Sequence, residues 1–308
     1  MPRFVFVFCA RFLLTILTFA LPPSARAQQS PAAISSDPAR DNANPAAMET
    51  MQLPSHGSLL NALVYIAAGL GPHPVVVLLH GFPGNEKNLD LAQALRRAGW
   101  DVLYFDYRGS WGSPGDFSFT HCIEDTQAAI AYMRDPANAK KLRADPARIV
   151  VIGHSMGGFM ANYAAAQDPK IEAVVMISAA NLGGMSARSE APKSSDEDAV
   201  KSIAASLAAE GMAPLAGCTP ESLAREILAN HAQWDFVNSA PKLATRPILV
   251  ITSDDGLAQA NNAFVAAAKK SGSTKVTAKH MTTDHSYSDD RIALETTVLT
   301  WLATLQKM

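Results

Sequence analysis

The chain is short of cysteine, of positive charge and of long apolar runs. Only 3 cysteines occur among 308 residues. Two of them, Cys122 and Cys218, lie beyond the first 27 residues, so at most one internal disulfide can form there, and two buried thiols are the alternative. With 26 basic against 28 acidic residues the chain lacks the basic excess that a nucleic-acid partner demands. No Cys/His cluster at metal-ligand spacing, phosphate loop or dinucleotide fingerprint is present, so no cofactor or metal is expected. What the sequence does contain is 48% hydrophobic residues, enough for one sizeable core carrying an insertion.

The longest apolar run follows Arg3 and Arg11 and covers only Phe12 to Leu21, well short of the roughly 20 residues that span a bilayer. Small residues at Ala25 and Ala27 then offer a cleavage site. Residues 1–27 are therefore read as a signal peptide, which makes the mature protein exported, periplasmic or secreted, with no membrane segment. Cys9 precedes the apolar run, where no lipid-attachment cysteine sits. Cleavage removes three arginines and no acid, leaving 23 basic and 28 acidic residues, a net charge of −5.

Residues 28–50 carry Pro31, Pro38 and Pro45 among small polar residues and read as a flexible linker to a domain over 51–308. Within it, aliphatic runs at 75–79, 102–106, 149–153, 173–177 and 248–252 suit strands buried on both faces, as in a parallel sheet. Between them, Asn88–Ala98, Ile123–Met133 and Met156–Gln167 have helical spacing. The alternation predicts a mostly parallel α/β sheet with helices on both faces. Residues 181–246 break the rhythm with two helices, near 200–209 and 221–235, and are read as a helical cap inserted between two strands.

The strongest local signal is Gly153-His154-Ser155-Met156-Gly157-Gly158, between an apolar run and a helix. A serine hydroxyl attacks poorly unless it is held exposed, and the strand-to-helix turn that does so leaves room only for glycine beside it. The same turn aims the free N–H groups of the helix at a developing oxyanion.

Together with Leu79-His80-Gly81-Phe82-Pro83-Gly84 and Asp284-His285-Ser286, this motif resembles the α/β-hydrolase superfamily, in particular its dienelactone-hydrolase and prolyl-oligopeptidase-like esterases. The likeness runs from about residue 56 to the C-terminus. It implies an eight-stranded sheet with the nucleophile Ser155 after the fifth strand, an acid after the seventh and a histidine after the eighth. It also implies an oxyanion hole built from the backbone N–H groups of Phe82 and Met156.

The base must then come late. His280 falls in a predicted strand over 275–281 and His285 in the loop after it, which favours His285, since loops at strand ends carry the site in this architecture. Two acids qualify at Ser253-Asp254-Asp255-Gly256. In the resembling enzymes a Gly stands three residues before the acid, whereas here Ser253 takes the Gly place with one residue fewer. Asp255 is assigned, with Asp254 as the alternative. His80 and Asp106-Tyr107-Arg108-Gly109 are read as structural, and Asp284, Asp289 and Asp290 as turn and helix-capping residues. The chemistry these residues suit is hydrolysis of a small or medium carboxylic ester through a Ser155 acyl-enzyme. The rivals are a peptidase of the prolyl-oligopeptidase-like type, which normally carries a large additional N-terminal domain, and a silent binding protein on the same fold.

Overall fold

The computed structural model describes Met1, residues 31–187 and residues 195–305. The expected leader therefore lies, but for Met1, outside the described residues, as does part of the expected cap. Eight strands form one sheet in the order β1-β2-β4-β3-β5-β6-β7-β8. An antiparallel hairpin of β1 (Ala47–Ser55) and β2 (Ser58–Ile66) opens it, and β2 pairs antiparallel with β4 (Asp101–Phe105). From β4 onward, β3 (His73–Leu79), β5 (Ala144–His154), β6 (Ala173–Ile177), β7 (Ile248–Thr252) and β8 (Val276–His280) run parallel.

The aliphatic runs produce this sheet because each strand must bury both faces. In β3, Val75, Val77 and Leu79 point into one core cluster while Val76 and Leu78 point into the other, the two-residue alternation of a pleated strand. α1 (Ala32–Ser35), α2 (Leu89–Arg97) and α10 (Arg291–Leu305) cover the second face. α3 (Phe119–Arg134), α4 (Pro136–Leu142), α5 (Met156–Gln167) and α9 (Ala258–Lys270) cover the first.

The segment read as a linker over 28–50 is described from residue 31 on and carries regular structure there. The one-turn α1 sits within it, with Arg97 Nε–H donating to Ala33 O at 2.5 Å. β1 begins at Ala47 because Met48 to Leu53 find backbone partners on β2 through a two-residue turn at His56-Gly57. Both turn residues have positive φ, 45° and 84°, as this hairpin twist requires.

The insertion between β6 and β7 holds α6 (Asp196–Ala209), α7 (Pro220–Trp234) and α8 (Ala240–Leu243). Ser195 caps α6, and Thr219 with Ser222 forms a reciprocal cap on α7. Their apolar residues, Val200, Ile203 and Leu207 on α6 with Leu223 and Ile227 on α7, join the core of the sheet's first face rather than building a separate one. The parallel register aligns the C-terminal ends of β3, β5, β6 and β7, with Leu79 opposite Gly153 and His154 opposite Ile177. The loops leaving those ends therefore converge.

Candidate active site

Ser155 stands between the last residue of β5 and the first of α5, at φ 57° and ψ −121°. This is a conformation that a residue with a side chain adopts only under constraint. The constraint is visible: Ser155 N–H donates to Ile177 O at 2.9 Å, and its carbonyl accepts Gly158 N–H at 3.0 Å and Ala180 N–H at 2.9 Å. Close backbone approach accounts for the flanking glycines. A Cβ at Gly153 would lie 1.9 Å from Gly157 O, and one at Gly157 would lie 2.1 Å from Leu79 O.

The loop after β3 comes equally near, since a Cβ on Gly81 would stand 2.9 Å from Ser155 Cβ. Among the described residues, neither the Phe82 nor the Met156 N–H meets a protein acceptor, which leaves two donors free beside the serine. His80 is buried and its Nδ1–H donates to Gly81 O at 2.8 Å, bracing the loop. Asp106 lies 3.7 Å from His80 Nε2 and also accepts bonds from Lys87 and the Tyr104 hydroxyl, so the Asp106–Gly109 turn buttresses this loop from behind.

His285 lies in the loop after β8, where its Nδ1–H donates to Asp255 Oδ2 at 2.7 Å. That bond leaves Nε2 with its lone pair. The Asp255 side chain is 3% exposed and the His285 ring 40%. Burial by itself would raise the Asp255 pKa. Hydrogen bonds from His285 and the Leu257 N–H, with the polar Ser178 hydroxyl close by, outweigh it and hold the carboxyl well below the usual range, so the buried group stays ionised. Ser155, Met156, Phe82, Asp255 and His285 line one cavity of about 440 Å³. The Ser155 hydroxyl has no hydrogen-bond partner among the described residues. Ile203 and Leu207 of α6 form an apolar wall opposite, with Ser202 and Ser206 beside them.

The alternatives weighed in the sequence pair with one another. Asp254 Oδ1 meets His280 Nε2 at 3.1 Å, and His280 Nδ1 meets the Thr252 hydroxyl at 3.0 Å. Asp255, not Asp254, is the carboxylate brought to His285. Asp284 accepts from Ser288 N–H and Asp289 from the Thr283 hydroxyl, both turn-bracing bonds. Among the described residues no group of three or more His, Cys, Asp or Glu could hold a metal ion, and Cys122 and Cys218 are free thiols.

Four residues to which the sequence analysis gave no role in the chemistry, Ser178, Ser253, Tyr287 and His154, form a network beside the pair. Ser178, fully buried at φ 41°, hydrogen-bonds with the Ser253 hydroxyl at 3.0 Å and the Tyr287 hydroxyl at 2.9 Å. Burial pushes the Tyr287 phenol up to about 12. His154, inside the nucleophile motif, donates from Nε2 to the His285 carbonyl at 2.8 Å.

The family described as the alpha/beta hydrolase fold matches residues 74–232. An uncharacterized protein of Mycobacterium tuberculosis is 31% identical over 133 residues, which are 43% of this chain and 46% of that one. The match thus spans less than half of that relative. Among solved structures, an esterase of Pyrobaculum calidifontis superposes with a TM-score of 0.62 at 21% identity, covering 86% of this chain and 87% of that one. An acylaminoacyl peptidase of Pyrococcus horikoshii superposes with a TM-score of 0.62 at 19% identity, covering 84% of this chain and 41% of that one. At these identities the likeness is one of fold.

Proposed function

The chain belongs to the α/β-hydrolase family, and from that premise we propose that it hydrolyses a carboxylic ester through an acyl-enzyme on Ser155. In the first half-reaction His285 Nε2 takes the hydroxyl proton as Ser155 Oγ attacks the ester carbonyl. Ionised Asp255 stabilises the imidazolium and holds its tautomer. The oxyanion accepts bonds from the Phe82 and Met156 N–H groups, which face no competing acceptor among the described residues. His285 then returns the proton to the departing alcohol, and water repeats the sequence to release the acid.

The observation that carries this reading is the 2.7 Å bond from His285 to a buried, ionised Asp255, in the cavity that Ser155 lines. A volume of about 440 Å³ with apolar walls suits an acyl group of small or medium size. The Pyrobaculum neighbour is an esterase, which accords with this preference. Export through residues 1–27 is part of the proposal, and N-terminal sequencing of the mature protein tests it.

For the chemistry, a fluorophosphonate probe is applied, the modified peptide is mapped, and turnover is measured on chromogenic esters and proline-containing amides. Label on Ser155 with ester turnover, both absent from Ser155→Ala, is the expected result. Preferential turnover of the amides would replace esterase by peptidase. An unlabelled Ser155 with intact turnover would contradict the reading.

A further inference from the structure

His154 occupies the variable position of the nucleophile motif, where the turn itself asks only for glycine on either side of the serine. It is 3% exposed, and its two nitrogens have different fates. Nε2–H donates to the His285 carbonyl at 2.8 Å, a bond between residues 131 apart in sequence. Nδ1 is buried with no partner among the described residues. The ring lies against that of His285, centroids 4.6 Å apart at 35°, and edge-on to Tyr287 at 6.3 Å.

A side chain retained for packing alone would not leave a buried nitrogen unsatisfied, because an apolar ring fills the same space without that cost. We infer that His154 is a positioning residue for the hydrolysis. It ties the main chain of the base to the strand that carries the nucleophile, and it presents a neutral ring to the imidazolium that forms on His285. The inference rests on the esterase reading of the site.

Neutrality matters to this role. A charged ring stacked on His285 would oppose protonation of the base in the transition state. Burial, aided by the nearby His285, pushes the His154 imidazole down to about 3, so it carries no charge over the range in which esters are assayed. The single proton must then sit on Nε2, where the carbonyl receives it. Both loops of the site thus hang from one rigid element. β5 sets Ser155 through its own turn and sets His285 through the neighbouring side chain.

The test compares His154→Phe, which keeps a ring and loses the donor, with His154→Gln, which offers a donor and loses the ring. Measured on p-nitrophenyl acetate, His154→Phe should lose about tenfold or more in kcat with KM within about twofold, while its Tm equals or exceeds the wild-type value. His154→Gln should recover part of that kcat despite a lower Tm. Stability and activity therefore move in opposite directions, which a packing role does not predict. The inference is overturned if His154→Phe keeps kcat within about twofold, or if kcat falls only in step with Tm in both variants. Should phenylalanine not be accommodated, His154→Leu takes its place under the same criteria. Fluorophosphonate labelling of wild-type Ser155 is scored separately, so failure of the esterase reading is seen apart from failure of this one.

Discussion

Two histidine–aspartate pairs sit at the same end of the sheet, built from adjacent aspartates and from histidines five positions apart. They differ in almost every physical respect. In the His280–Asp254 pair both side chains are about half exposed, 49% and 56%. Such a pair is screened by solvent and contributes between nothing and roughly 1 kcal/mol. In the His285–Asp255 pair the carboxylate is enclosed, accepts hydrogen bonds from His285 and the Leu257 N–H, and is held well below its ordinary pKa. Composition and local spacing are nearly the same for both. What separates them is exposure. His280 lies on β8, the last strand of the sheet among the described residues, and it and Asp254 are open to solvent. Asp255 is enclosed and bound by the His285 ring and the Leu257 N–H. A His–Asp pair becomes chemically useful where water is excluded from its carboxylate.

The sharpest way to break this contrast is to remove each histidine in turn. His285→Gln should lower kcat/KM for an activated ester by on the order of 10³-fold, since loss of one member disables the unit. His280→Gln should stay within about twofold, as expected for an exposed pair. Comparable losses in the two, measured side by side on p-nitrophenyl acetate, would erase the distinction drawn here.

A smaller effect is expected from the buried Ser178 hydroxyl, which is bonded to Ser253 and Tyr287 and acts on Asp255. Ser178→Ala removes a buried polar hydroxyl that helps hold the carboxylate ionised and leaves the bonds from His285 and Leu257, so kcat should fall by about tenfold while KM changes little. Wild-type turnover in this variant would mean that His285 and Leu257 orient Asp255 unaided.

The smallest effect lies in stability against pH. Asp255 has a folded-state pKa below its unfolded value of 3.8, so its stabilisation is present above that value and is lost as pH falls through the lower folded one. Urea unfolding at a series of pH values should show the wild-type advantage over Asp255→Asn constant near neutrality and shrinking below about pH 4.

Much of this arrangement was legible in the sequence wherever backbone geometry leaves few options. The turn at Ser155 admits only glycine at Gly153 and Gly157, and α5 spans Met156–Gln167 as its spacing implies. Strands β3 to β7 were legible because burial on both faces demands unbroken aliphatic runs. β1 was not. It is an edge strand with most side chains exposed, so its composition resembles that of a linker, and only its pairing with β2 orders it. Likewise, His154 and Ser178 carry no local signature, since their partners lie 131 and 109 residues away. The choice between Asp254 and Asp255 was a matter of which way two consecutive side chains point as β7 ends, and tertiary packing settles that geometry.

The most direct measurement of the central claim is the pre-steady-state rate of Ser155 acylation by a p-nitrophenyl ester in the wild type, Asp255→Asn and Asp254→Asn. Acylation isolates the step in which the base must draw the hydroxyl proton. The account predicts that Asp255→Asn acylates on the order of 10³-fold more slowly, while Asp254→Asn keeps the wild-type rate. Wild-type acylation in Asp255→Asn, or a crippled Asp254→Asn beside it, would contradict the account.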